Sequence, residues 1–245
     1  MSGGAVLILG ARSDIGLAIA QAFAAEGHAI QLAARDPDTL EAARNDLALR
    51  HGVDVSLHAF DALDYDSHEA FLDALPVLPE IAVCTVGFMG EQTESETDMN
   101  AARLVMRSNF EGPASILGLI ANRFEARGNG IIVGISSVAG DRGRATNYVY
   151  GSAKAGFTAW LAGLRNRLAG SGVHVLTVKP GFVATAMTEG MDLPERLTAQ
   201  PQAVGRAVLR AVNARRNVIY VKPVWWLVML VIRSIPEAIF KKMRI

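Results

Sequence analysis

The sequence predicts an α/β fold, a single doubly wound parallel sheet of about seven strands flanked by helices. Three observations carry that expectation. Short apolar runs of strand length alternate with stretches of helical period along nearly the whole chain. A glycine turn joins the first apolar run to the first helical stretch. The residues able to do chemistry fall just past the carboxyl ends of the expected strands, where open parallel sheets bind ligands. The 245 residues suffice for one well-cored domain, with no internal repeat and no low-complexity linker.

Taken in order, Ala5-Val6-Leu7-Ile8-Leu9 is a continuous apolar run, the first strand. Gly10-Ala11-Arg12-Ser13-Asp14-Ile15-Gly16 follows, and Leu17 to Phe23 continue at helical period, giving a helix over about 14–26. A buried strand, a glycine turn and a helix amino terminus make a pyrophosphate site of the Rossmann type. Glycine lets the backbone approach the phosphates, and free helix N–H groups point at them. A second strand is expected near 29–34 and a helix near 38–50. That strand ends Leu32-Ala33-Ala34-Arg35-Asp36, which sets Arg35 where a dinucleotide's 2′-phosphate would sit. Arg12, in the glycine turn, is placed to help. NADPH is therefore favoured, with NADH left open because Asp36 stands next door. The remaining strands are expected near 54–59, 81–86, 131–136, 173–178 and 217–221. The remaining helices are expected near 66–74, 98–126, 147–169 and 201–214. Strict alternation implies right-handed crossovers between parallel strands. The stretch of about 184–200, with Gly190 and Pro194, reads as a lid over the substrate.

The most informative local pattern is Tyr150 followed by Lys154, with Ser137 upstream. Residues four apart share a helix face, so Lys154 can sit beside the Tyr150 ring. An ammonium there favours the phenolate and is expected to lower the Tyr150 pKa toward the range useful for proton transfer. Tyr148 has no such partner, because Ser152 lies four residues on.

Together these residues resemble the short-chain dehydrogenase/reductase family, from about residue 5 to about residue 221. The family's glycine motif has three glycines; Gly10 and Gly16 match the outer two, and Asp14 replaces the middle one. The Asp14 carboxylate is expected to cap the helix that begins there. The resemblance implies a catalytic set of Ser137, Tyr150, Lys154 and Asn109. Tyr150 would donate a proton to a substrate carbonyl, and Ser137 would hold the carbonyl oxygen. Lys154 would bind the nicotinamide ribose, and Asn109 would anchor a proton-relaying water. It also implies that Gly10, Arg12, Ser13, Asp14, Ile15, Gly16 and Arg35 bind the dinucleotide, together with Asp61 and Ala62 at the adenine. Gly87, Pro180, Gly181, Val183 and Thr185 would surround the nicotinamide, Thr185 holding its carboxamide with help from the Val183 backbone. The family's strand ending Asn-Asn-Ala-Gly is here Cys84-Thr85-Val86-Gly87. The hydrogen bonds of those asparagines are then expected from elsewhere, Thr85 being placed to supply them. A homodimer or homotetramer through the long helices is implied as well.

The carboxyl-terminal segment, 222–245, reads as an amphipathic tail on a catalytic domain of 1–221. Its uncharged stretch, Pro223 to Ile232, is too short for a membrane span of about twenty residues. Its flanks are basic and Trp225-Trp226 suits a water–lipid interface, so peripheral membrane contact is one reading. Packing within the protein or across a dimer interface is the other. With Phe60 to His68 and the closing Ile235 to Met243, the tail resembles the branch of the family that reduces a 2-keto-pentose carried on decaprenyl phosphate. The implied substrate is a lipid-linked keto sugar. A small or lipophilic ketone remains the alternative, and a non-catalytic dinucleotide sensor a third reading.

Formal net charge is zero, which gives no reason to expect nucleic acid as a partner. The single cysteine, Cys84, sits in an apolar run and reads as a buried hydrophobe. The five histidines show no ligand spacing, so no metal site is expected. The amino-terminal apolar run lacks a basic flank and a cleavage site. A cytoplasmic enzyme, at the inner membrane face if the tail binds lipid, is the expectation.

Overall fold

In the computed structural model, which describes residues 3–243, the seven expected strands form one parallel sheet. They are β1 (Gly3–Leu9), β2 (His28–Ala34), β3 (Val55–Ala59), β4 (Ile81–Cys84), β5 (Gly130–Ile135), β6 (Val173–Pro180) and β7 (Val218–Val221). Their order across the sheet is β3-β2-β1-β4-β5-β6-β7. The side-chain period of two in each strand divides the core into two layers. Val6, Ile8, Leu32, Val83, Val133 and Leu176 point to one face and meet Phe23, Val204 and Val208. Leu7, Leu9, Ala33, Ala82, Ile132 and Val175 point to the other and meet Ile116, Phe124, Phe157 and Leu161. Apolar side chains at consecutive positions are thus all used, which explains runs rather than alternation in the sequence.

The helices are α1 (Asp14–Ala24), α2 (Glu41–His51), α3 (His68–Asp73), α4 (Gln92–Thr97), α5 (Met99–Met106), α6 (Gly112–Arg127), α7 (Tyr148–Arg167), α8 (Pro201–Asn213), α9 (Val224–Ser234) and α10 (Glu237–Phe240). The single helix expected over about 98–126 is not continuous. Between α5 and α6, Arg107–Glu111 form a π-turn in which Gly112 N–H reaches back five residues to Arg107 O. Pro113 has no N–H to offer the Asn109 carbonyl, so an α-helical ladder cannot run through this point. Helix α4 was not expected from the sequence.

The tail is folded onto the rest of the protein. Trp225 is 4% exposed and Met229 is 1% exposed, packed with Val138. The Trp225 indole N–H donates to Leu197 O at 3.0 Å. Arg142 clamps the end of α9: its Nη1 donates to Ile232 O and Ile235 O, both at 2.6 Å, and its Nη2 to Glu237 at 2.9 Å. The opposite face of α9 stays in solvent, with Trp226, Leu227, Leu230 and Val231 all about half exposed. No helix among the described residues is long and apolar enough to cross a membrane.

Candidate active site

The strand order reverses direction between β1 and β4, and that crevice is where a doubly wound sheet binds ligands. Gly10 follows β1 with φ +82°, a conformation glycine adopts without strain. A Cβ there would lie 2.9 Å from Val86 N, so a larger residue has no room. Ser13 caps α1 by accepting from Gly16 N at 2.9 Å. Asp14 therefore does not cap the helix as expected. Its carboxylate accepts from Ala186 N at 2.9 Å and ties α1 to the lid. The negative charge is thereby held by the lid segment, and the turn keeps free N–H groups at a helix start. The Thr85 hydroxyl donates toward Leu9 O at 3.0 Å and Gly10 O at 2.9 Å and accepts from Ser13 Oγ at 3.1 Å, tying the end of β4 to the glycine turn. The cradle fits a dinucleotide pyrophosphate. Arg12 and Arg35 are exposed, with no carboxylate paired to either among the described residues. Asp61 Oδ1 accepts from Leu63 N at 2.9 Å, and buried His68 bonds Asp61 O at 3.1 Å, fixing the loop that also carries buried Ala62.

Ser137 stands just past β5 at the head of a 3-10 turn (Val138–Asp141), where its Oγ accepts from Ala139 N at 3.1 Å. Its hydroxyl proton is left for Tyr150, whose phenolate form it favours. Tyr150 and Lys154 lie one turn apart on α7, the Lys154 Nζ 5.7 Å from the centre of the Tyr150 ring. Nζ donates to Ile135 O at 3.0 Å. The electrostatics differ from the sequence expectation. Burial pushes the Tyr150 phenol up to about 12, and only the Ser137 hydrogen bond acts against it. Burial pulls Lys154 down to about 8. The lysine points to a strand-end carbonyl rather than to the phenol oxygen, and desolvation outweighs its field. The phenol is thus neutral, the form that can give a proton.

Asn109 is fully buried within the π-turn. Its amide donates to Val105 O at 2.8 Å and to Phe88 O, while Oδ1 accepts from Phe88 N at 3.3 Å. It thereby fixes the segment after β4. A Cβ on Gly87 would stand 2.9 Å from Asn109 Oδ1 and 3.3 Å from Lys154 Nζ, so Gly87 leaves the space in which Asn109 and Lys154 approach each other.

Ser137, Tyr150, Lys154, Gly87, Pro180, Gly181, Val183 and Thr185 all line one cavity of about 570 Å³. Phe182 and, from the expected lid, Met187 and Met191 also line it, and sequence reasoning missed three further wall residues, Met89, Arg144 and Trp225. Trp225 reaches the cavity because Gly181 has no side chain; a Cβ there would fall 2.0 Å from the indole. The tail is therefore part of the site, a connection hidden by its distance in sequence. Beneath it, Lys179 pairs with buried Asp141, which also accepts from the Tyr220 hydroxyl at 2.7 Å. Cys84 is buried in the core, its thiol pushed up to about 11 by desolvation, as suits a packing residue.

The family described as short chain dehydrogenase matches residues 4–195. An uncharacterized oxidoreductase of Mycobacterium tuberculosis is 36% identical, the match covering 97% of this chain and 96% of the relative. An uncharacterized oxidoreductase of Streptomyces coelicolor is 34% identical, with coverages of 97% and 95%. Among solved structures, a short-chain dehydrogenase from Sphingobium yanoikuyae in complex with NADPH superposes with a TM-score of 0.81 at 27% identity, covering 96% of this chain and 97% of its own.

Proposed function

The chain belongs to the short-chain dehydrogenase/reductase family of NAD(P)-dependent oxidoreductases, and from that membership we propose that it is a carbonyl reductase acting on a lipophilic ketone. The observation that carries this reading is the convergence of Ser137, Tyr150 and Lys154 on one cavity bounded by Gly87 and the Pro180–Thr185 segment. When bound, a nicotinamide would supply hydride to the carbonyl carbon. Tyr150, neutral and partly buried, gives its proton to the carbonyl oxygen, and Ser137 hydrogen-bonds the same oxygen. Lys154 would hold the cofactor ribose hydroxyls. Asn109 orders the segment after β4 and anchors a water that returns a proton toward Lys154. Gly10, Arg12, Ser13, Ile15 and Gly16 cradle the pyrophosphate, Asp61 and Ala62 border the adenine, and Thr185 with Val183 holds the carboxamide.

NADPH is the preferred cofactor in this reading, because exposed Arg12 and Arg35 are free to meet a 2′-phosphate. The methionine- and tryptophan-lined cavity favours a lipophilic substrate. A 2-keto sugar carried on a polyprenyl phosphate is the specific case we propose, with the outer face of α9 resting on an anionic membrane surface. The working protein is a homo-oligomer.

Loss of cofactor absorbance on mixing with a short-chain prenylphosphoryl 2-keto-pentose tests this directly. Wild type should oxidise NADPH faster than NADH. Tyr150→Phe should bind either cofactor normally and lose turnover by at least about a hundredfold, the scale of one general acid. Arg35→Ala should lose about tenfold in kcat/KM for NADPH and little for NADH. Full activity in Tyr150→Phe would overturn the catalytic assignment, and reduction of simple ketones only would overturn the sugar.

A further inference from the structure

The cavity wall contributed by the segment leading into α7 holds two buried polar atoms without partners, Arg144 Nε and Asn147 Oδ1. Both residues line the catalytic cavity. Burial pulls the Arg144 guanidinium below its usual range, and no described carboxylate opposes that. Three other half-buried arginines find acceptors: Arg142 on the α9 end, Arg165 on Val175 O at 2.8 Å, Arg123 on Glu69 and Asp73. Two carboxylates, Glu91 and Glu96, also line the cavity, but both are exposed and neither pairs with Arg144; Glu96 instead accepts from Gln92 at 3.1 Å. Arg144 as a residue is half-buried, but its Nε is enclosed without an acceptor, and an enclosed donor left unmatched costs stability that a ligand oxygen in the cavity would recover.

We propose that Arg144 is an anion subsite of the substrate pocket, and that the substrate carries an oxyanion, a phosphate ester or carboxylate, on the same molecule as its ketone. This rests on the reading of the cavity as the substrate site. It adds the residue that reads a negative charge on the substrate. Arginine suits the role because its planar fork binds two oxygens of such a group at once. The unpartnered Asn147 Oδ1, an acceptor, takes a hydroxyl of the same ligand. Pocket chemistry then divides cleanly: Met187, Met191, Phe182 and Trp225 hold apolar substance, and Arg144 fixes its one charged group.

Calorimetric titration of the NADP⁺-loaded protein with octyl phosphate, octanoate, octanol and inorganic phosphate tests the proposal without turnover, so its outcome is separable from that of the reductase reading. Octyl phosphate or octanoate should bind wild type about ten- to a hundredfold more tightly than octanol, the worth of a charge-assisted hydrogen bond. Arg144→Met should remove that preference and leave NADP⁺ affinity unchanged, while Arg144→Lys should keep part of it. Equal affinity for octanol and both anions in wild type overturns the subsite, as does a preference that survives in Arg144→Met. Inorganic phosphate binding as tightly as octyl phosphate would mean a free ion and overturns the assignment to substrate. Should Arg144→Met prove insoluble, salt decides: the wild-type preference must shrink as ionic strength rises, and a salt-independent preference sinks the proposal.

Discussion

Lys154 shows what one buried charge does to both chemistry and stability. It is 3% exposed, with one carbonyl partner. Its pKa falls from 10.5 to about 8 on burial. Below about pH 8 the lysine is charged in both folded and unfolded chains, and the fold carries the full cost of burying that charge, roughly 3 kcal/mol. Between about pH 8 and 10.5 the folded chain has released the proton while the unfolded chain still binds it, so the cost fades as pH rises. Lys154→Met should therefore be more stable than wild type at pH 7, with the gap closing toward pH 10.5 in paired urea titrations. A gap that does not change with pH would show that burial does not set the Lys154 charge. The same residue marks the limit of what spacing reveals. Four residues on a helix place Lys154 beside Tyr150, and the structure keeps them together. The depth of the pair is a tertiary property, so the direction of the Tyr150 shift was not legible and came out opposite to expectation.

At the scale of elements, the strands and their carboxyl-end loops were readable because continuous apolar runs have few other uses in a protein of this size. Breaks within helices were not. Apolar spacing through Asp98 to Ala126 reads as one helix, and only Pro113 hinted at the π-turn that buries Asn109. Asp14 was misread for a related reason: the cap position is local, but the Ala186 N–H that its carboxylate accepts lies 172 residues away. That bond makes α1 and the lid one mechanical unit. Asp14→Ala should speed amide exchange at Ala186 and its neighbours severalfold and raise KM for cofactor, leaving exchange within α1 slow because Ser13 still caps it. Asp14→Asn, which keeps an acceptor, should restore most of the protection. Unchanged exchange at Ala186 in the alanine variant would show that the lid is held by its own turns alone.

For the molecule as a whole, composition masks a local asymmetry. Net charge is zero, yet within the described tail Lys222, Arg233, Lys241 and Lys242 face a single acid, Glu237, whose charge is already taken by Arg142. The sequence left two fates for this tail; the inner face of α9 packs within the protein and the outer face stays in solvent. Trp225 and Met229 are spent on the cavity wall, whereas Trp226 at 57%, Leu227 at 54% and Leu230 at 48% exposure form an unpartnered apolar stripe among basic residues. An apolar stripe flanked by cations is matched by an anionic lipid surface, where the rings sit at headgroup depth and the lysines meet phosphate. The inner face of the same helix borders the cavity, so docking there would bring a lipid-anchored ketone to the pocket mouth without leaving the bilayer surface. Vesicles of phosphatidylcholine with phosphatidylglycerol should sediment the wild-type protein, and vesicles of phosphatidylcholine alone should do so weakly. Leu227→Glu with Leu230→Glu should abolish sedimentation while turnover of a soluble ketone is kept, because neither side chain lines the cavity. If wild type ignores anionic vesicles and the double variant instead dissociates a dimer, the stripe is a subunit interface and the membrane reading fails.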